Sequence, residues 1–286
     1  MSNMTGKVCV VTGANAGIGK ETAIGLAKLG ATVVMVCRDA GRAEKALREI
    51  KQKSGNDRVA MMICDLASQK SIRRFADDFK QQHDRLDVLV NNAGVFLRQR
   101  SLTEDGIEST FAINHLGYFL VTNLLRDLMK NSKPSRIVNV ASTAHRYAKL
   151  DVNAWVSARE YSAFGAYANS KLANVLFTYE LARRLEGTGV TANCLHPGAV
   201  ASNLFRGLPA VLEALIRLVT ISPERGARTS IYLASSPDVE GVSGKYFARR
   251  RPEKSSEASY DLEAARRLWE LSEELTSASH CGADSR

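Results

Sequence analysis

A tyrosine and a lysine four residues apart are the clearest pair in this sequence that could do chemistry. Tyr167 and Lys171 lie in a stretch with helical character, so their side chains are expected to share one helix face. An ammonium group beside a phenol favours the phenolate and should lower its pKa from the usual value of about 10. Such a pair can pass a proton to or from an alcohol or carbonyl oxygen. Because this spacing also arises often by chance, the interpretation depends on the motifs around it.

A glycine-rich turn follows the first predicted strand and leads into a predicted helix. Its glycines have the spacing Gly-x3-Gly-x-Gly. Glycines at such a junction let the backbone approach a pyrophosphate, and the free N–H groups of the helix N-terminus attract its negative charge. The sequence therefore predicts a dinucleotide site in this turn. The predicted turn residues are Gly13, Asn15, Ala16, Gly17, Ile18 and Gly19.

The end of the second predicted strand favours NADP(H) over NAD. An acidic residue about twenty positions after the glycine turn would bind the ribose hydroxyls and favour NAD. Here Cys37 ends the strand and Arg38 follows it. A guanidinium at this position can pair with a 2′-phosphate and stack on adenine. The adjacent Asp39 carries an opposing charge, and an ordinary surface arginine is the alternative interpretation of Arg38.

Short apolar runs alternate with amphipathic stretches along the chain, and this alternation predicts the framework for these residues. Most runs are continuously apolar, as expected of parallel strands covered on both faces. We predict a single-domain, doubly wound parallel α/β sheet of the Rossmann type with about seven strands, and a ligand outside their carboxyl ends. Predicted strands span residues 7–12, 32–37, 59–64, 86–90, 136–141, 190–195 and 245–247. Predicted helices span residues 17–29, 42–53, 69–82, 106–130, 166–185 and 224–234.

The last third of the chain departs from this alternation. Residues 202–221 are apolar and helix-prone but fit no simple crossover, so we predict a lid over the site. Its apolar residues either line a hydrophobic pocket or pack on the protein body. Residues 261–275 predict a docked final helix that completes a domain spanning residues 1–276. The polar residues 277–286 predict a disordered tail.

Composition limits the other function classes. The net charge of +9 is scattered apart from Arg249-Arg250-Arg251, which favours a solvated surface over nucleic-acid binding. No apolar run reaches the length of a membrane span, and no signal peptide is visible, so we predict no integral membrane segment. Four of the five cysteines, Cys9, Cys37, Cys64 and Cys194, are interpreted as buried hydrophobes of a protein in the reducing cytoplasm.

No metal site is predicted. The cysteines have no CxxC or other metal-ligand spacing, and the histidines have no partners at the distances along the chain that a metal site needs. We therefore expect His115, His145 and His196 to be structural, or to support the catalytic residues without touching substrate.

Three further motifs follow successive predicted strands. Asn91-Asn92-Ala93-Gly94 comes after the fourth strand, Ser142 after the fifth and Pro197-Gly198 after the sixth. Together with the glycine turn and Tyr167-Ala168-Asn169-Ser170-Lys171, this order resembles the short-chain dehydrogenase/reductase family over residues 5–247. Finer details are similar to its retinol dehydrogenase branch, although protochlorophyllide reductases and WW-domain oxidoreductases share some of them. These details are Gly13-Ala14-Asn15, Cys37-Arg38-Asp39, Asn114-His115-Leu116-Gly117, Ser170-Lys171-Leu172-Ala173-Asn174 and His196-Pro197-Gly198.

The resemblance implies an NADP(H)-dependent oxidoreductase. It would transfer hydride between the nicotinamide and a hydrophobic carbonyl or alcohol, of the retinal and retinol kind or another aldehyde or ketone. Tyr167 would be the general acid or base, a role typically worth about 10²- to 10⁴-fold in rate. Lys171 would also hold the nicotinamide ribose, and Asn114 would keep a helix kink and a water in a proton relay to Lys171.

A serine hydroxyl is expected to hydrogen-bond the substrate oxygen as charge develops there. Ser135 and Thr143 are competing hydroxyls in the same stretch. The match of Asn139-Val140-Ala141-Ser142 to the family favours Ser142.

The resemblance also implies the remaining cofactor contacts. Residues after the third and fourth strands would meet the adenosine side, and residues after the sixth strand would approach the nicotinamide. The implied cofactor contacts are Asp65, Leu66, Asn92, Ala93 and Gly94 for adenosine, and Tyr167, Lys171, Pro197, Gly198, Val200 and Ser202 for nicotinamide.

The resemblance also bears on assembly. Relatives are often homodimers or homotetramers, with the helices at residues 106–130 and 166–185 in contact.

Two other functions stay open at this point. One is a light-dependent reductase of the protochlorophyllide type, which shares part of the motif set. The other is a catalytically silent protein that senses NADP(H), although Asn114, Ser142, Tyr167 and Lys171 are all present and argue against lost catalysis.

Overall fold

One sheet crosses the computed structural model, which describes residues 2–149, 161–198 and 221–277. The described residues hold eight strands: β1 (Val8–Thr12), β2 (Thr32–Cys37), β3 (Val59–Ile63), β4 (Val88–Asn91), β5 (Ser135–Val140), β6 (Val190–His196), β7 (Tyr246–Ala248) and β8 (Arg251–Glu253). They lie in the order β3-β2-β1-β4-β5-β6-β7-β8. The first seven are parallel, which confirms the predicted doubly wound fold.

The eighth strand was not predicted. β8 pairs antiparallel with β7, and all three of its residues are exposed, so it has no apolar run that a sequence pattern could detect. The two residues between β7 and β8 are Arg249 and Arg250, both with left-handed backbone at φ 49° and 65°. A two-residue turn of this kind matches the twist of the flanking strands. The arginine cluster therefore forms a hairpin at the end of the sheet.

Helices cover both faces of the sheet. In the described part of the chain these are α1 (Gly17–Lys28), α2 (Ala40–Ser54), α3 (Gln69–Gln82), α4 (Ser109–Phe111), α5 (Gly117–Asn131), α6 (Ala163–Arg184), α7 (Pro223–Ser235) and α8 (Leu262–Ser277). A π-helical turn, Ala112–Leu116, joins α4 to α5 within the helix predicted at residues 106–130.

The strands are continuously apolar because each buries side chains on both faces. In β1 and β2, Val10 and Val34 contact the layer formed by α3, α5 and α6. Their neighbours Val11 and Val33 contact the opposite layer of α1, α2 and α7. All of these side chains are fully buried. The order of the strands reverses between β1 and β4, and the carboxyl ends of the strands there open the crevice where such sheets bind ligands.

The final helix α8 packs across α5 and α6. Its Trp269 ring lies 5.0 Å from the Phe119 ring and 5.8 Å from the Phe177 ring, centroid to centroid, and the Arg184 guanidinium lies 4.2 Å above it. His115 Nε2 and Ser272 Oγ form a buried hydrogen bond of 2.9 Å. The chain's own helix thus covers apolar residues of the two helices that the family resemblance assigns to an oligomer contact.

The described residues contain no cluster of three or more histidine, cysteine, aspartate or glutamate side chains that could hold a metal ion. Within the same residues, no helix is both long enough and apolar enough to cross a membrane. The four cysteines that are described, Cys9, Cys37, Cys64 and Cys194, are buried and unpaired, and burial raises the pKa of each thiol.

Candidate active site

The glycine turn between β1 and α1 is shaped by close backbone contacts. A Cβ added at Gly13 would lie 2.8 Å from Ala93 Cα, and one added at Gly19 would lie 2.4 Å from the Gly13 carbonyl oxygen. Gly17 differs, because its left-handed backbone (φ +55°) requires glycine while nothing lies within 4 Å of its added Cβ. Packing therefore excludes a side chain at Gly13 and at Gly19, whereas the turn has an open face at Gly17.

The N-terminus of α1 borders that open face. Its N-cap residue, Ala16, has extended backbone and no capping side chain, whereas Asp39 caps α2 and Ser68 caps α3. The first N–H groups of α1 thus lack a side-chain acceptor, and the partial positive charge of the helix end faces the turn. Asn15, Ala16 and Ile18 are all half-buried around it. This cradle fits the pyrophosphate of a nicotinamide dinucleotide.

The turn after β4 is fastened beside the glycine turn by Thr12. The Thr12 hydroxyl accepts hydrogen bonds from the backbone N–H groups of Asn92 (2.9 Å) and Ala93 (3.0 Å). The Asn92 side-chain amide donates in return to the Thr12 carbonyl at 2.8 Å. Sequence reasoning missed this role of Thr12. The signal in the sequence was a threonine at the end of an otherwise apolar strand, and the structure shows that it is buried.

Arg38 follows β2 on the same side of the site. It is exposed and has no ion-pair partner among the described residues. The neighbouring Asp39 carboxylate accepts a hydrogen bond from the Arg42 N–H at 2.8 Å, as the N-cap of α2. The negative charge that opposed NADP(H) in the sequence is therefore engaged with a helix N-terminus.

Two predicted adenosine contacts lie after β3. Asp65 Oδ1 accepts a hydrogen bond from the Ala67 N–H at 2.9 Å, which holds its carboxylate within its own turn. Leu66 is buried and reaches α5, where its Cβ lies 3.1 Å from the Cβ that would be added at Gly117.

The lysine predicted to be catalytic lies deep in the site. Lys171 is 3% exposed, and its ammonium donates a hydrogen bond of 3.1 Å to the Val140 carbonyl at the end of β5. Nζ lies 5.6 Å from the centre of the Tyr167 ring and 5.9 Å from that of Tyr118. Burial lowers the pKa of Lys171 to about 8. At neutral pH the Lys171 amine is therefore mainly protonated and positively charged.

The predicted fall in the Tyr167 pKa was wrong for the chain by itself. Burial raises the pKa of this phenol to about 12, and a hydrogen bond with Ser142 opposes that rise. The ammonium of Lys171 lies beside the tyrosine ring, yet desolvation of the phenolate outweighs it. The Phe96 ring packs edge-on against the Tyr167 ring with centroids 5.6 Å apart. Tyr167 is therefore a neutral phenol at neutral pH.

Ser142 is the hydroxyl that meets this phenol. It lies directly after β5, and its Oγ accepts a hydrogen bond from the Ala144 N–H at 3.2 Å. The competing Ser135 begins β5 at the opposite edge of the sheet and donates to the Met129 carbonyl. Thr143 is exposed, and its N–H donates to His196 Nδ1 at 3.3 Å. Of the three hydroxyls, that of Ser142 alone influences the pKa of Tyr167 in the described residues.

Asn114 lies in the π-helical turn and is completely buried. Its side-chain carbonyl accepts from the Val95 N–H (2.8 Å), and its amide donates to the Val95 carbonyl (2.9 Å) and to Ser170 Oγ (3.0 Å). The Cβ that would be added at Gly94 lies 3.4 Å from Asn114 Oδ1 and 3.5 Å from Lys171 Nζ. Asn114, Gly94 and Lys171 therefore lie close together, beside the Tyr167 ring that the Lys171 ammonium approaches.

The predicted nicotinamide contacts after β6 are only partly visible. Pro197 and Gly198 are half-buried, and Gly198 has left-handed backbone at φ +95° beside Ile221. Val200, Ser202 and the predicted lid, apart from Ile221, lie outside the described residues, as does the predicted tail after Ser277.

The chain is similar to proteins of one known family. A family model described as short chain dehydrogenase matches residues 7–211. Retinol dehydrogenase 14 of Mus musculus is 48% identical over 286 residues, which cover 94% of this chain and 86% of that protein. Retinol dehydrogenase 13 of Homo sapiens is 44% identical over 284 residues, which cover 96% of this chain and 86% of that protein.

Solved structures show the same fold. An uncharacterized protein from Mycobacterium paratuberculosis is 35% identical and superposes with a TM-score of 0.79, covering 97% of this chain and 96% of that one. RhlG of Pseudomonas aeruginosa, in an active-site complex with NADP, is 28% identical with a TM-score of 0.71 and covers 86% of this chain and 95% of that one.

Proposed function

Because this chain belongs to the short-chain dehydrogenase family, in its retinol dehydrogenase branch, we propose that it is an NADP(H)-dependent oxidoreductase acting on a hydrophobic carbonyl or alcohol such as retinal or retinol. The observation that carries the proposal is the convergence of three side chains at the carboxyl edge of the sheet. The Ser142 hydroxyl is close enough to the Tyr167 phenol to lower its pKa, and the Lys171 ammonium lies beside the same ring.

The protonation states of these groups support carbonyl reduction. A bound NADPH supplies the hydride. Tyr167, a neutral phenol at neutral pH, donates its proton to the substrate oxygen as that oxygen gains charge. The Ser142 hydroxyl hydrogen-bonds the same oxygen. The positive charge of Lys171 stabilises the phenolate that remains, and the same groups run the steps in reverse for alcohol oxidation.

The preference for NADP(H) is supported by the surroundings of Arg38. Its exposed guanidinium is free of ion pairs in the described residues, and the Asp39 carboxylate is held by the N-terminus of α2. A free guanidinium suits a 2′-phosphate. The glycine turn, the uncapped N-terminus of α1 and the turn at Asn92 and Ala93 would hold the rest of the cofactor.

A hydrophobic substrate is supported by the relatives and by the wall around Tyr167. The curated relatives named above are retinol dehydrogenases at 44–48% identity. Phe96 packs on the Tyr167 ring, and the Tyr161 hydroxyl donates to the Leu97 carbonyl at 2.7 Å on the same side of the site. A cytoplasmic location and an oligomeric state stay predictions.

The test is a steady-state assay of NADPH and NADH oxidation against all-trans-retinal, short aliphatic aldehydes and aryl ketones. We expect turnover of all-trans-retinal with NADPH and a clear preference for NADPH over NADH. Binding of NADPH without turnover of any carbonyl would overturn the enzymatic proposal and favour the sensor function. Preference for NADH would overturn the cofactor assignment alone.

A further inference from the structure

His145 makes two hydrogen bonds that join distant parts of the chain. It lies in the short 3₁₀ turn Thr143–Tyr147 directly after Ser142 and is 1% exposed. Its Nδ1 lies 2.6 Å from the Ser142 carbonyl oxygen. Its Nε2 lies 3.0 Å from the backbone nitrogen of Ser256, which donates the hydrogen bond. The imidazole therefore bridges the turn of the proposed catalytic serine and a segment near the C-terminus.

The two partners fix which ring nitrogen of His145 carries the proton. A backbone N–H can only donate, so Nε2 must be unprotonated and accept from Ser256. A carbonyl can only accept, so Nδ1 must hold the proton and donate to Ser142. The Ser142 carbonyl also accepts from the backbone N–H of His145 at 3.2 Å, so both bonds to that oxygen come from one residue.

The C-terminal end of the bridge is itself held firmly. The Arg146 guanidinium donates to the carbonyls of Lys254 and Ser255. From the other side, the Tyr179 hydroxyl of α6 and Ser255 Oγ form a hydrogen bond of 2.8 Å. Ser256, next along the chain, is the N-cap of the 3₁₀ turn Glu257–Tyr260. Hydrogen bonds from two sides therefore hold the segment to which His145 is bonded.

We propose that His145 is a positioning residue, which ties the Ser142 turn to Ser256 and thereby holds the Ser142 hydroxyl against the Tyr167 phenol. The inference rests on the proposed function, because it assigns His145 a part in the same reaction. His145 touches neither the phenol nor the substrate position. It acts by fixing the Ser142 carbonyl, and the Ser142 hydroxyl is fixed separately by the Ala144 N–H.

Ser256→Pro tests the bridge without changing the histidine. Proline removes the N–H that donates to His145, and the Ser256 φ of −71° is close to the value of about −65° that proline requires. Ser256→Ala is the matched control, since the buried Ser256 hydroxyl has no hydrogen-bond partner among the described residues and the N–H is retained. The two variants differ in the donor that His145 uses.

The readouts are kcat for reduction of all-trans-retinal with NADPH, and the Kd of NADPH by fluorescence titration. We expect Ser256→Pro to lower kcat about tenfold and to leave the NADPH Kd within about twofold, because a small misplacement of a reacting group costs rate and not cofactor affinity. Ser256→Ala should match the wild type. Equal kcat values for the two variants, or a parallel loss of NADPH binding in Ser256→Pro, would overturn the proposal.

Substitution of His145 separates its two bonds if Ser256→Pro does not fold. The amide of His145→Asn can reach the Nδ1 position and donate to the Ser142 carbonyl, whereas that of His145→Gln reaches toward Ser256 and leaves the Ser142 carbonyl with only the backbone N–H of residue 145. Because each variant keeps one end of the bridge only, we expect both to lower kcat about tenfold and to leave the NADPH Kd within about twofold. A wild-type kcat in either variant would contradict the bridge.

A measurement that needs no turnover separates this inference from the proposed function. Imidazole ¹⁵N chemical shifts of ¹⁵N-histidine-labelled protein report which ring nitrogen holds the proton. We expect His145 to carry its proton on Nδ1 in the wild type and in Ser256→Ala, and to lose this fixed state in Ser256→Pro. A wild-type proton on Nε2 would sink the inference even if retinal is reduced. An inactive wild type with the expected shifts would sink only the proposed reaction.

Discussion

The two halves of the sheet's carboxyl edge are built in different ways. At the ends of β1 and β4, backbone packs on backbone, with Gly13 against Ala93 and Gly19 against Gly13 itself. At the ends of β5 and β6, side chains from remote parts of the chain hold the turn, as His145 does between Ser142 and Ser256. In the proposed cofactor half, Gly13 and Gly19 have no room for side chains of their own, whereas the proposed catalytic half depends on which side chains are present.

This difference explains where each half is sensitive. Close backbone contacts make the glycine half intolerant of added atoms, but they leave its chemistry to N–H groups that every residue carries. In the proposed catalytic half, activity is instead expected to depend on single protons and hydroxyl groups and to fall when one of them is removed. Four experiments address the contrast.

Tyr167→Phe should have the largest effect and should act on the catalytic half alone. Removing the hydroxyl removes the proton donor, so kcat should fall by about 10²- to 10⁴-fold. NADPH affinity should change little, because the ring and its contact with Phe96 remain. Steady-state kinetics with all-trans-retinal and NADPH titration measure the two effects. Tyr147→Phe is the control, since Tyr147 is 73% exposed in the same region; loss in both variants would contradict the assignment.

Gly13→Ala should destabilise the glycine turn of the proposed cofactor half, because the added methyl group has no room. Gly13 and Gly6 both have left-handed backbone, at φ +68° and +80°, so alanine is strained at either position. Only at Gly13 does the added Cβ meet another backbone, at 2.8 Å. We expect Gly13→Ala to lower the free energy of unfolding by about 1–3 kcal/mol more than Gly6→Ala does. Urea denaturation of both variants measures this, and equal losses would mean that the turn can relax.

Arg38→Ala should affect the cofactor half through charge instead of packing. Losing a charge-assisted pair with the 2′-phosphate should reduce the preference for NADPH over NADH by about 10- to 100-fold. The ratio of kcat/KM for the two cofactors gives the result. Lys45→Ala, an exposed cation on the same helix as the Asp39 cap, should leave the ratio unchanged. An unchanged ratio in Arg38→Ala would show that another group selects the cofactor.

Mild acid should loosen the catalytic half before the cofactor half. Burial lowers the pKa of His115 to about 3 and that of His196 to about 4, and it also lowers the pKa of His145 below its usual range. Below the unfolded-state histidine pKa of about 6.5, these histidines bind protons in the unfolded chain but stay neutral in the folded chain. The free energy of unfolding therefore falls as pH falls. A fully buried histidine such as His115 contributes a slope of up to about 1.4 kcal/mol per pH unit.

Hydrogen exchange at pH 7.5 and pH 5 tests this order. Exchange should rise first in residues 135–149 and 251–277, which contain or contact the three histidines. The strand and turn at residues 8–19 serve as the internal reference, since they contain no histidine. Simultaneous loosening of both halves would show that the edge unfolds as one unit.

Sequence patterns predicted most of the sheet because its signals are local. The runs that became β1 and β2 are continuously apolar, and the glycine spacing needs only a strand before it and a helix after it. β8 escaped prediction because its three residues are exposed and pair only with β7. The pKa of Tyr167 was misjudged because spacing reveals the neighbouring lysine but not the burial. The bonds of His145 depend on a residue that lies 111 positions away.

The helix α8 follows every other described element along the chain, and this order has a consequence during synthesis. Its Trp269 and Ser272 cover Phe119, Phe177 and His115, which leave the ribosome much earlier. Until α8 emerges, a nascent chain that has already formed its sheet would display this apolar surface to the cell, where such surfaces invite aggregation or chaperone binding. A chain that stops shortly before Leu262 would therefore leave this apolar surface exposed permanently, even with every proposed catalytic residue in place.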